Sequence, residues 1–116
     1  LFGEALGLHN DGLARRFPRT RFVLGHSGLL WNWRSAAEAA RRPNVWFCLC
    51  GPHMRAIEFL CQRVDPERIV WGSDFGFGFS DAVGYRLAIL RLAQVDDALR
   101  ERILGANPYP LLNLAA

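Results

Sequence analysis

The sequence contains no lysine, a single methionine, only three cysteines and no long apolar run. A membrane-spanning helix needs about 18 or more consecutive apolar residues, so no membrane partner is predicted. The cysteines are odd in number and lack CxxC spacing, which excludes a disulfide-rich secreted scaffold and favours the reducing cytoplasm. No basic segment followed by an apolar stretch comes after Leu1, so no secretory signal is expected.

The basic residues are all arginine, and they number fourteen against eleven acidic residues, for a net charge of +3. They are scattered along predicted helices with acidic residues close by in the chain, rather than clustered into a basic patch. No nucleic-acid partner is therefore predicted. Hydrophobic residues make up 51% of the chain and charged residues 22%, which is typical of a folded globular protein.

Three apolar runs end in small or polar residues, and each is followed by a helical pattern. The runs cover 21–26, 45–51 and 68–74, and their nearly continuous apolar character is typical of parallel strands covered on both faces. Helices are predicted at 12–17, 33–42, 55–63, 81–92 and 96–104. The strands recur about every 23 residues, which fits repeated βα units with right-handed crossovers.

Three strands are fewer than the roughly four to six of a typical sheet. Alone they would leave two open edges and an uncovered face. We therefore expect residues 1–116 to form a single, partial α/β domain that is completed by further strands.

A polar side chain lies at or just after the end of each run: His26 ends the first, His53 follows the second and Asp74 ends the third. The carboxyl ends of parallel strands meet at one edge of a sheet, where ligands bind. The backbones of the first and third strands should lie about 9.6 Å apart, a gap that an imidazole and a carboxylate can span. Position alone leaves two interpretations open. His26 and Asp74 either hold a cation or water between them, or they are a hydrogen-bonded core histidine and a loop cap.

The second run and the residues that follow it contain three more reactive side chains, one histidine and two cysteines. His53 lies in Gly51-Pro52-His53-Met54, which favours a turn into a helix over a site role. Cys48 and Cys50 lie on the same side of one strand and are predicted to be a buried thiol pair, because no further metal ligands accompany them.

A glycine-rich loop at 76–81 suggests a function of another class, a noncatalytic module that binds a nucleotide such as NAD or ATP. Asp74 and Asp81 bracket this loop and would repel a pyrophosphate, and the third glycine of the dinucleotide fingerprint is missing. We therefore favour a loop that covers an active site.

Four motifs occur in a fixed order: RFPRTRFVLGHSG at 16–28, PNVW at 43–46, PERIVWGSDF at 66–75 and ILGAN at 103–107. With these motifs in this order, the chain resembles the C-terminal part of the amidohydrolase-related superfamily, in the branch of the aminocarboxymuconate-semialdehyde decarboxylase-like enzymes. The resemblance implies a TIM-type (β/α)8 barrel in which the three runs are strands six to eight. The chain would then need N-terminal barrel strands, or another chain, to complete the fold.

The resemblance also implies roles for two residues. Asp74 corresponds to the metal-binding aspartate of the last strand and would accept a proton from metal-bound water, while His26 acts beside the metal as acid, base or electrophile. Zinc is the favoured divalent metal, with manganese or iron as alternatives. The reaction implied is hydrolysis or decarboxylation of a small carboxylate-bearing or cyclic substrate.

The sequence departs from the family pattern in its other ligands. The His-x-His pair of the first strand and the histidine of the fifth are absent, and His9 and His53 are in unsuitable positions. Catalytic zinc takes three protein ligands, so the chain by itself is predicted to be inactive. A truncated, inactive remnant is the remaining alternative.

Overall fold

Three parallel strands form one sheet in the order β1-β2-β3 in the computed structural model, which describes residues 12–28, 32–76 and 82–114. The strands are β1 (Phe22–Leu24), β2 (Val45–Cys48) and β3 (Ile69–Val70). Leu24 is paired with Phe47, and Cys48 with Val70. The predicted parallel α/β arrangement is confirmed, although each strand is shorter than its apolar run.

The helices lie close to their predicted positions. They are α1 at 12–16, α2 (Trp33–Glu38), α3 (Met54–Arg63), α4 (Ala82–Leu92), α5 (Asp97–Glu101) and α6 (Pro108–Leu111). Among the described residues, no helix has the length and apolar character that crossing a membrane requires.

Two helices are shorter than predicted by more than one residue, each for a local reason. After α2 the chain tightens into a 3-10 turn, Ala39–Arg41, and leaves the helix at Arg42 because Pro43 disfavours helical backbone in the residue before it. The helix α5 begins at an Asp96 cap, whose carboxylate accepts the Leu99 N–H at 3.1 Å, and then widens into a π-helical turn, Arg102–Ala106.

The two faces of the sheet differ in burial. The buried core contains the alternate strand residues Leu24, Val45, Phe47 and Ile69, together with Leu49 just after β2 and residues of the helices. On the opposite face Val23 is 47% exposed, and Cys48 is only half-buried. Trp46 and Val70 lie on that same face and are buried, so within the described residues the expectation that both faces are covered fails for β1, at Val23, and holds for those two residues.

Buried polar side chains fix where β3 begins. Asn107 is 4% exposed, and its amide donates to the carbonyls of Pro66 and Ile69 at 2.6 and 2.7 Å. Arg68 donates to the carbonyls of Val45 and Ala40 at 3.1 and 2.9 Å. These bonds satisfy carbonyls of β2, of β3 and of the turns that precede them, and so they tie the start of β3 to the neighbouring segments.

Candidate active site

The chain leaves β1 through a strained turn, Gly25–Gly28, which carries His26. His26 (φ 62°) and Ser27 (φ 43°) both adopt left-handed backbone, which costs about 1–2 kcal/mol per non-glycine residue. The Ser27 hydroxyl is buried and donates to the Cys48 carbonyl at 2.8 Å. A Cβ on Gly28 would lie 2.7 Å from the Trp33 backbone nitrogen, so only glycine fits there. Neighbouring elements thus impose the unusual conformation of His26.

Asp74 follows β3 and is strained in the same way. Its φ of 56° is left-handed, and Gly76 continues the turn with a φ of 89°. The Phe75 N–H donates to the Ser73 hydroxyl at 3.2 Å, which supports the turn. Strained backbone of this kind clusters at functional sites, where the surrounding structure holds it.

The two strained residues meet across the sheet edge. His26 Nε2 lies 3.7 Å from Asp74 Oδ2, and the side chains are 34% and 32% exposed. This separation suits an ion pair and exceeds the length of a direct hydrogen bond. The structure therefore brings together the two residues that the sequence singled out, in an arrangement that can exchange a proton with a bound molecule.

The other side of the His26 ring contacts a residue that sequence reasoning did not connect with it. The ring nitrogen Nδ1 lies 2.9 Å from Cys50 Sγ, and the His26 backbone N–H donates to the same sulfur at 3.1 Å. The signal available in the sequence is position, because Cys50 ends the second apolar run at the edge where His26 ends the first.

The three thiols differ in acidity. A hydrogen bond from Cys48, followed by those from His26, lowers the pKa of Cys50 from 9.0 to about 5, although burial acts in the opposite direction. The hydrogen bond to Cys50, together with burial, raises the pKa of Cys48 above its ordinary range. Burial alone raises the pKa of Cys61 to about 11. Cys50 is therefore the thiol that carries thiolate character.

His53 lies at the start of α3 and caps it. Its Nδ1 accepts the Ala56 N–H at 3.3 Å, and its ring meets Trp33 edge to face with centroids 6.1 Å apart. These contacts agree with the prediction that the segment Gly51–Met54 forms a turn into a helix. Residues 77–81 of the glycine-rich loop, and His9, lie outside the described residues.

Gly51 makes the close approach of the second strand to His26 possible. A Cβ at Gly51 would lie 2.8 Å from His26 Cβ, closer than such atoms come in practice. We expect Gly51→Ala to lower the free energy of unfolding by about 1–3 kcal/mol, since the strained turn has to shift. Urea denaturation measures the change.

The matched control is Gly105→Ala, where a Cβ meets nothing within 4 Å. A gain of stability or no change is expected for this variant. Equal changes in the free energy of unfolding for the two variants would show that the close approach of Gly51 to His26 does not affect stability.

The described residues do not complete a metal centre. One imidazole and one carboxylate face each other, and within 12–28, 32–76 and 82–114 no group of three or more His, Cys, Asp or Glu residues is placed to bind an ion. Catalytic zinc takes three protein ligands and an open position. Asp74 is thus at most one member of a larger ligand set.

Comparison with known proteins points to one family. The family model described as Amidohydrolase matches residues 5–114. The solved structure of the 5-carboxyvanillate decarboxylase LigW from Sphingomonas paucimobilis superposes with a TM-score of 0.68 at 22% identity, over 90% of this chain and 37% of that one. The chain thus spans well under half of that decarboxylase, and at this identity the likeness shows the fold. No curated protein matches.

Proposed function

The chain belongs to the amidohydrolase family, as its motif order predicted, and from that premise we propose that it forms the last three βα units of a barrel enzyme. The enzyme hydrolyses or decarboxylates a small carboxylate-bearing or cyclic substrate. A three-stranded parallel sheet that matches part of an amidohydrolase barrel supports this assignment. The remaining strands come from N-terminal sequence or from another chain.

One observation supports the proposal most directly. His26 and Asp74 end the first and third strands, and their side chains lie 3.7 Å apart on left-handed backbone at the carboxyl edge of the sheet. Enzymes with parallel barrels place their reacting groups at this edge. Neither side chain belongs to the buried core, and left-handed backbone at non-glycine residues is concentrated at functional sites.

The chemistry of the two residues follows from their partners. The His26 nitrogen that faces Asp74 and solvent is Nε2, since Nδ1 lies against Cys50, so Nε2 is the atom that exchanges a proton with substrate. In hydrolysis Asp74 accepts a proton from the attacking water and His26 protonates the leaving group. In decarboxylation His26 delivers the proton that replaces carbon dioxide on carbon.

Amidohydrolases commonly use divalent metals. Among the described residues no group of three or more His, Cys, Asp or Glu side chains is placed to bind one. In the complete barrel Asp74 would serve as one carboxylate ligand, with zinc favoured and manganese or iron as alternatives.

The test is an activity assay with defined metal content. The protein is expressed from its gene with any sequence preceding Leu1 retained, loaded with Zn²⁺, Mn²⁺ or Fe²⁺, and offered aromatic and cyclic carboxylates, cyclic amides and lactones. We expect carbon dioxide release or ring opening that a chelator abolishes and added metal restores.

Two results would contradict the proposal: no turnover of any substrate at full metal loading, or turnover that chelation leaves unchanged. Saturable binding of NAD or ATP without added metal would favour a nucleotide-binding module instead.

A further inference from the structure

Cys50 lies two residues after β2, and its sulfur contacts His26 at two different atoms. We propose that Cys50 is a positioning residue, whose sulfur holds the His26 ring with Nδ1 turned inward and Nε2 turned toward Asp74 and the substrate. The inference rests on the proposed function for the proton transfer at Nε2, whereas the orientation of the ring is measured without turnover.

The two contacts restrict the rotation of the ring. The His26 backbone N–H donates to Cys50 Sγ at 3.1 Å, and ring Nδ1 lies 2.9 Å from the same atom. Because the first contact places the sulfur relative to the backbone, the second restricts rotation about both side-chain bonds of His26. A half-turn of the ring would bring a C–H edge against the sulfur and break the contact. The geometry is the same whichever atom carries the shared proton, since a thiol and an imidazole can each donate or accept.

Asp74 does not orient the ring in this way. Its Oδ2 lies 3.7 Å from His26 Nε2, which exceeds the length of a direct hydrogen bond. The two side chains are 34% and 32% exposed, so water competes for the facing atoms. Of these two neighbours of the ring, Cys50 is therefore the one that sets the direction of Nε2.

The sulfur is itself held on both sides. Cys50 is 8% exposed, and a Cβ at Gly72 would lie 3.0 Å from Cys50 Cβ, so the segment after β3 packs directly against it. The next residue, Gly51, comes so near to His26 that a Cβ there would lie 2.8 Å from His26 Cβ. A residue that orients a reacting group needs such support, because a loosely held neighbour leaves that group misplaced.

The first test measures the motion of the His26 ring. Histidine with isotope-labelled ring carbons is incorporated into the metal-free protein, expressed with any sequence preceding Leu1 retained, and the order parameter of the ring is obtained from NMR relaxation. We expect about 0.85, the value of rigid backbone, in the wild type and in Cys50→Ser, whose hydroxyl also donates and accepts. In Cys50→Ala the value should fall below about 0.6. The signal that is missing in His26→Asn identifies the ring.

Cys61→Ala is the matched control. Cys61 is also a partly buried free thiol, but it lies on α3 and packs against the hydrophobic core. Its replacement removes the same chemical group and leaves both contacts of His26 intact. The order parameter of the His26 ring should stay at its wild-type value in this variant.

The second test measures turnover by the metal-loaded enzyme, on a substrate that the wild type converts. Cys50→Ala should lower kcat per folded molecule by about 10-fold or more and leave KM within about twofold, because the sulfur orients the reacting group without touching the substrate. Cys50→Ser should recover most of this loss, and Cys61→Ala should stay within about twofold of the wild type. Circular dichroism gives the folded fraction, so that a weakened fold is not read as a lost orientation.

Two results overturn the proposal: a His26 ring that is as ordered in Cys50→Ala as in the wild type, or a ring that loses its order while kcat is unchanged. A wild type that converts no substrate would contradict the proposed function, and the order parameter would still show whether Cys50 holds the ring. If Cys50→Ala does not fold, the wild-type ring decides, since an order parameter below about 0.6 there overturns the proposal.

Discussion

Asp74→Asn is expected to lower turnover of the assembled enzyme by at least about 100-fold, the lower end of what a positioned acid or base contributes. The substitution keeps the size of the side chain and its tolerance of the left-handed φ of 56°, but it removes the carboxylate that we propose accepts a proton and binds a cation. His26→Asn should have a comparable effect, because Nε2 lies 3.7 Å from the Asp74 carboxylate and is the atom that we propose exchanges a proton with substrate. Turnover and metal content are measured together for each variant.

The matched control is Glu67→Gln, which also converts a carboxylate to an amide but at an exposed position in the turn before β3. Its turnover should stay within about twofold of the wild type. If Asp74→Asn kept the turnover and metal content of the wild type, the assignment of Asp74 to the site would be wrong.

Phe47→Ala is expected to cost about 3–5 kcal/mol of unfolding free energy, the usual range for a fully buried phenylalanine. Phe47 is 0% exposed on the central strand, paired with Leu24 on one side and Ile69 on the other. Its loss leaves a cavity between the sheet and the helices that rigid neighbours fill only partly. Urea denaturation followed by circular dichroism gives the shift in midpoint.

Leu92→Ala is the control for this experiment, since Leu92 is 73% exposed at the end of α4. A change within about 0.5 kcal/mol is expected there. A Phe47→Ala cost below about 1 kcal/mol would mean that the chain in solution does not pack the core described above.

The sequence predicted the sheet and helices well because their signals are local. Continuous apolar runs and proline or glycine boundaries lie within a few residues of the elements they define, so β2 begins at Val45 as expected. Burial depends on distant parts of the chain, which is why the exposure of Val23 was not predicted. The numbering of the strands as six to eight of a barrel stays a prediction.

The site was predictable in position but not in detail. His26 and Asp74 could be placed together because parallel strands end at one edge, and their catalytic roles remain proposals. The contact between His26 and Cys50 was not predictable, because it requires left-handed backbone at a non-glycine residue, which L-amino acids adopt only under tertiary constraint.

The order of the strands in the sheet is their order in the chain, so every crossover joins neighbours. Within the described residues each strand pairs with its neighbour in the chain, so a cut between two βα units breaks a single strand pairing. The two pieces would expose complementary strand edges along the cut. Re-association of two such pieces would restore the register of the intact sheet, because the edges on the two sides of the cut carry the residues that pair across it.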